Sequence, residues 1–193
     1  VRAFLDRPVP RAQVELLLEL ARCAPSGANL QPGRFYALAG QPLQRLTDTL
    51  LTAIADRRPA VSEYSYFPNP MPADLKARQR AAGFALYEAL EIDRRDIDGR
   101  RQQFEKNYRF FDAPVGIVVT IPRSLGMGCW MDMGMAIQTF LLAAHDAGLG
   151  ACGIGAIANY GDVVHETLSL DASEVVVAGI ALGYADDHAV NEF

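Results

Sequence analysis

The chain has 193 residues, enough for one generous domain, and its 50% hydrophobic content against 21% charged excludes wholesale disorder. Eighteen basic residues against 23 acidic ones leave a formal charge of −5, which argues against nucleic acid as a main partner. Three cysteines, Cys23, Cys129 and Cys152, are odd in number and widely spaced, so a disulfide scaffold and structural zinc are not expected, and no metal site is assigned.

The stretch "VPRAQVELLLELARCA" sets Val14, Leu17, Leu18 and Ala21 on one stripe at helical spacing, with Pro10 near its start. Pro25 stops that helix. The run "CAPSGANLQPGRF", residues 23–35, holds two prolines and two glycines beside a Ser, an Asn and a Gln. It suits neither a tight turn nor a linker. "RFYALAG" then reads as a short strand from Arg34 to Gly40, and Pro42 opens a second helix lined by Leu43, Leu46, Leu50 and Ile54. "RRPAVSEYSYFPNPMPADL" is too rich in proline and aromatics for helix or sheet, and so long a loop inside a domain is functional or disordered. Helical character returns from Leu75 to Leu90 and from Asp93 to Tyr108.

"APVGIVVTIP", 113–122, is a buried strand rich in β-branched residues. "WMDMGMAIQTFLLAAHDAG" is apolar nearly all round, as expected of a helix within a core or a subunit interface. A last strand runs from Glu174 to Ala185. Helices and strands mix without a clean β-α-β alternation, so the class is α/β or α+β around one central sheet, in a single domain spanning 1–193. The N-terminal "VRAFLDRPVP" lacks the apolar stretch of a secretory signal. Trp130 to Ala144 contains Asp132 and Gln138 and falls short of the ~18 residues that a membrane span needs. A cytoplasmic protein with no membrane partner is expected.

Several chemical patterns fail on context. Gly148, Gly150 and Gly153 satisfy G-x-G-x-x-G, but they follow a helix, whereas a dinucleotide fingerprint lies between a strand and the helix it opens. His145 closes a helix, His165 lies on a short helix, and His188 sits in an acidic tail; none pairs with a nucleophile that an Asp orients. Asp186–Asp187 and Asp96–Asp98 read as solvated surface. No catalytic side chain is assigned.

Five ordered blocks resemble the FMN-dependent nitroreductase family. They are the opening "VRAFLDRPVPRAQVELLLELARCAPSGANLQPGRFYAL", the strand entry "NYRFFDAPVGIVVTI", the central "DMGMAIQTFLLAAHDAGLGAC", and the closing "NYGDVVHETLSL" and "VVVAGIALGYAD". The likeness covers nearly all of the chain except about 57–92. It implies an α+β, three-layer α/β/α sandwich with a mostly antiparallel sheet, forming an intertwined homodimer. It also implies an oxidoreductase with FMN as cofactor and NAD(P)H as reductant, delivering electrons by a ping-pong route to a small-molecule acceptor such as a nitroaromatic or quinone. Reductive dehalogenation or alkene reduction on the same fold, and flavin carriage without catalysis, are the alternatives.

The resemblance also implies the cofactor-binding residues. Pro25, Ser26, Gly27, Asn29 and Gln31 belong to a loop that lies against a flavin held mainly by the other subunit. Arg2 matches the last basic residue of the phosphate-binding start, and Asn107 and Arg109 match positions facing the pyrimidine edge of the ring. Gly153, Ile154, Gly155 and Ala156 match the loop whose amides approach N5 and O4. A cation near that pyrimidine edge favours the reduced, anionic flavin. The chain departs from the family at Gly33, where an aromatic is usual, and at Gly155, where a polar or acidic residue is usual. Residues 57–92 read as a variable, lid-like insertion that sets acceptor choice, with Tyr64, Tyr66 and Phe67 available for stacking. The family's basic arms would lie beyond both ends, so a longer protein is expected.

Overall fold

A computed structural model describes residues 1–192. Helix α1, Arg11–Arg22, starts after Pro10 and buries Val14, Leu17 and Ala21, with Leu18 half-buried. Strand β1, Arg34–Ala39, leads through Gly40, whose φ of 58° suits glycine, into α2, Gln41–Ala55. That helix carries proline in its first turn and buries Leu43, Leu46, Leu50 and Ala53. The remaining elements are α3 (Ala73–Ala89), α4 (Ile97–Glu105), β2 (Val115–Pro122), α5 (Met127–Asp146), β3 (Gly150–Ile154), α6 (Gly161–Leu168) and β4 (Glu174–Gly183).

The strands form one sheet in the order β1-β2-β4-β3, antiparallel at every pairing. Side chains alternate across it. Val115, Ile117, Val119 and Ile121 of β2 turn toward α1 and α5, together with Ile180 and Leu182 of β4. Val118, Val176 and Ala181 turn the other way, onto α2, α6 and Tyr108–Phe111. Two hydrophobic cores therefore sandwich the sheet in three layers. No helix among the described residues is long and apolar enough to cross a membrane.

One expectation needs correction. The helix read over Asp93–Tyr108 is shorter: α4 spans Ile97–Glu105, and a 3-10 segment, Lys106–Asp112, follows it. Phe110, Phe111 and Asp112 have φ of 50°, 53° and 58°, which no α-helix accommodates. Asp96 is exposed, as expected, and it also caps α4, its Oδ1 accepting from Gly99 N–H at 2.8 Å. Helix α5 is apolar all round but buries only Met133, Phe140 and Ala144 in this chain. Met127, Met131 and Leu142 lie open at 86%, 70% and 60% exposure.

Candidate functional site

Loop 25–33 joins α1 to β1, and four of its nine residues have a positive φ. Ala28, Asn29 and Gln31 are left-handed without being glycine, and Gly33 sits at φ 96°. The loop is tied internally: Gln31 N–H donates to Ser26 Oγ at 2.9 Å, Asn29 N–H to Ser26 O at 3.0 Å, and Leu30 N–H to Gly27 O at 3.0 Å. It is also tied to α5, where Asp132 Oδ2 accepts from Gly27 N–H at 3.1 Å. Pro25, Ser26, Gln31, Pro32, Gly33 and Asp132 line one shallow recess. The departure at Gly33 has a local reason. A Cβ there would collide with Met133, whose Sδ would lie 2.8 Å away, so Met133 fills the space a larger residue would need.

The Arg2 end of the chain is fastened by Asn191, whose Oδ1 accepts from Arg2 N–H at 2.7 Å and from Ala3 N–H at 3.1 Å. Arg2 and Asn107 line one pocket with Gln103 and Phe111. Asn107 Nδ2 donates to Phe104 O at 2.7 Å. Arg109 turns away from that pocket toward Asp112, with Nη2 at 2.7 Å and Nε at 2.8 Å from Oδ1. The bends at Phe110–Asp112 hold this segment against the sheet, and glycines receive them: a Cβ at Gly179 would stand 2.9 Å from Phe110 Cε1, and one at Gly116 3.0 Å from its Cδ1.

Of the third group, Gly153 and Ile154 close β3, and Gly155 and Ala156 open the 3-10 turn Gly155–Asn159. Gly153 and Gly155 leave bare, exposed main chain on either side of buried Ile154. This turn is joined to the Lys106–Asp112 segment, since Asn159 Nδ2 donates to Tyr108 Oη at 3.4 Å and Tyr108 packs edge-on to Tyr160. Burial raises the Tyr108 phenol above its ordinary pKa. At Gly155 a Cβ would stand 3.3 Å from the Tyr66 ring, so the absence of a side chain there admits the aromatic stretch.

That stretch is pinned at its root rather than loose. Glu63 accepts from Arg123 and, at 3.2 Å, from Val176 N–H, with His165 Nε2 3.6 Å away. Burial alone would raise the Glu63 carboxyl, but these donors outweigh it and hold it below the usual range. Tyr64 is not free to stack on a ligand: its hydroxyl donates to Val177 O at 2.6 Å, its ring packs on Trp130, and burial pushes its pKa up to about 12. Tyr66 and Phe67 remain exposed, edge to face at 4.8 Å.

The expected site residues thus form two groups. Arg2, Asn107 and the Gly153–Ala156 stretch belong to one connected region, with Arg109 engaged by Asp112 beside it. Loop 25–31 precedes β1 and Gly153–Ala156 ends β3, the two outer strands of the sheet, which lie three strand spacings apart, about 14 Å. Asp132, Glu63 and Gln103 escaped the sequence reading. Only Asp132 left a trace there, as a charge inside an otherwise apolar helix. The donor set suits a flat cofactor with acceptor edges, because exposed main chain at Gly153 and Gly155, a polar pocket at Arg2 and Asn107, and a stiffened loop of small residues all favour close main-chain approach.

A model of the Nitroreductase family matches residues 1–184. The chain is 38% identical over 193 residues to a chloronitrobenzene nitroreductase of Comamonas testosteroni, covering 99% of this chain and 85% of that protein. It superposes on the FMN- and NADPH-dependent nitroreductase NfnB of a Sphigopyxis strain with TM-score 0.97 at 37% identity, covering 100% of this chain and 87% of the other. A second superposition has TM-score 0.94 at 32% identity over 100% of this chain and 86% of the other. Its partner is the FMN-dependent NfnB of Mycobacterium smegmatis in complex with NADPH.

Proposed function

From the premise that this chain belongs to the nitroreductase family, we propose that it is an FMN-dependent oxidoreductase that reduces nitroaromatic acceptors with NADPH. The observation that carries the reading is the likeness, over the whole of this chain, to an FMN-dependent nitroreductase in complex with NADPH. The names of these relatives favour it over dehalogenation, alkene reduction or flavin carriage.

Bound FMN would supply the redox chemistry that links NADPH oxidation to reduction of the acceptor. The residues of this chain bind and orient. Arg2 would hold the FMN phosphate and Asn107 the pyrimidine edge of the ring, and the amides of Gly153–Ala156 would face its other heteroatoms. Arg109 would add positive charge once released from Asp112, favouring the reduced state. Loop 25–31 would complete the pocket from a second copy of the chain. Two features support that assignment: the ~14 Å between the outer strands, and the open apolar face of α5 at Met127, Met131 and Leu142, which a homodimer would cover. No side chain need act covalently. The 57–92 segment, rooted at Glu63 and Tyr64, acts as the lid whose exposed Tyr66 and Phe67 bear on acceptor choice. The protein would work in the cytoplasm.

The test is direct. Purified protein should be yellow, release FMN on heating, elute as a dimer and oxidise NADPH when a nitroarene is added. Colourless protein that ignores added FMN would end this reading. Bound FMN without NADPH consumption would leave a carrier.

A further inference from the structure

Two consecutive residues of α5 grip the two ends of loop 27–33. At one end Asp132 Oδ2 accepts from Gly27 N–H at 3.1 Å, across 105 positions of sequence. At the other, Met133 occupies the space where a side chain on residue 33 would stand. Met133 is only 1% exposed, so the grip is anchored in the core and cannot drift without disturbing packing. Gly27 opens the 3-10 turn Gly27–Asn29, and the first N–H groups of such a turn find no partner within it. The Ser26 side chain makes no capping bond to that turn; its hydroxyl instead accepts from Gln31 N–H. Asp132 therefore supplies the acceptor the local sequence lacks. Asp132 itself is half-buried, between exposed Met131 and buried Met133.

We propose that Asp132 is a positioning residue for the flavin-facing loop. Its carboxylate fixes the Gly27 amide and thereby sets the direction in which Ser26, Asn29 and Gln31 are presented. The inference rests on the FMN reading above, and it assigns Asp132 no contact with the cofactor. Its effect runs through backbone geometry rather than through charge, and two variants separate those routes. Asp132→Ala removes both the acceptor and the charge. Asp132→Asn keeps an acceptor oxygen and removes only the charge.

The experiment compares full-chain wild type, Asp132→Ala and Asp132→Asn by FMN titration, by thermal unfolding, and by exchange of the Gly27 amide followed by NMR. Loss of the acceptor that fixes the Gly27 amide predicts that Asp132→Ala binds FMN about tenfold more weakly. Its Gly27 amide should lose protection while its unfolding midpoint moves little. Asp132→Asn should recover most of the affinity and the protection. Two results overturn the proposal: Asp132→Ala equal to wild type in FMN affinity, or Asp132→Asn as impaired as Asp132→Ala, which would make charge the operative property. Wild-type protein that takes up no FMN would sink the functional reading and this role with it. Wild type that binds FMN alongside an unimpaired Asp132→Ala sinks this role alone.

Discussion

Loop 25–33 and segment 106–112 adopt the same uncommon backbone and are held by opposite means. Each contains three left-handed residues that are not glycine: Ala28, Asn29 and Gln31 in the first, Phe110, Phe111 and Asp112 in the second. Such residues cost on the order of 1–3 kcal/mol apiece and persist only where surroundings over-determine them. In the second segment the surroundings are packing, with Phe110 fully buried against Gly116 and Gly179. In the first they are hydrogen bonds that Ser26 Oγ and Asp132 Oδ2 accept from loop amides at an exposed surface. The difference teaches where function and stability can be separated. The exposed loop can be loosened one bond at a time with the core intact. The buried aromatics of the second segment, Tyr108, Phe110 and Phe111, cannot be altered without altering the fold, so the placement of Asn107 is tied to overall stability.

The largest expected effect tests that coupling. Phe110→Ala empties a fully buried site and should lower the unfolding free energy by about 3–5 kcal/mol, read by urea denaturation. Since Phe110 shapes the backbone after Asn107 and Arg109, FMN affinity should fall with it. A variant that kept wild-type stability would break the comparison, because packing would then not be what holds the bend.

A smaller effect sharpens the polar side. Glu174, 1% exposed at the start of β4, ties down the first residues of β1, directly after the loop. It accepts from Arg34, from Thr120, and from Tyr36 Oη at 2.8 and 2.9 Å. Burial alone would raise its pKa, but Thr120, Tyr36 and Arg34 together hold it below the ordinary carboxylate range. A depressed folded-state pKa means the contribution is complete above the unfolded value of about 4.3 and is lost as pH falls through the lower, folded-state value. Glu174→Gln should cost about 1–3 kcal/mol at neutral pH and flatten the acid limb of the stability curve. Phe110→Ala should shift that curve downward without changing its acid slope. Equal slopes in Glu174→Gln and wild type would show that the anchor does not titrate as described.

What the sequence disclosed follows the same division. The stripes of α1 and α2, the β-branched run of β2 and the proline-bounded loop were legible because each is a local pattern. The left-handed bends were not, since Ala28 or Phe110 carries no mark of a positive φ as a glycine does. The helix read to Tyr108 stops at Glu105, where a 3-10 segment that no periodicity marks takes over. Helix α5 was legible as apolar, but periodicity cannot say which neighbour covers each face. The chain buries Met133 and Phe140 while leaving Met131 and Leu142 open. The bonds from Gly27 to Asp132 and from Tyr36 to Glu174 span more than a hundred positions, and nothing in a single sequence pairs them.

The smallest expected effect falls on the loop's internal bond. Ser26→Ala deletes the acceptor for Gln31 N–H, a neutral bond at an exposed site worth about 1 kcal/mol, so global unfolding should hardly change. The consequence should appear in binding, because Gln31 is left-handed and its conformation needs that support. A weakening of FMN affinity of about fivefold, with an unfolding midpoint close to wild type, is expected from titration and thermal melts. Because Ser26 Oγ and Asp132 constrain the same short loop, the double variant Ser26→Ala/Asp132→Ala should lose more affinity than either single change, yet less than their product, since the second break releases a loop already loosened. Strict additivity would mean that the two bonds hold independent parts of the loop, and that residues 27–31 do not move as one unit.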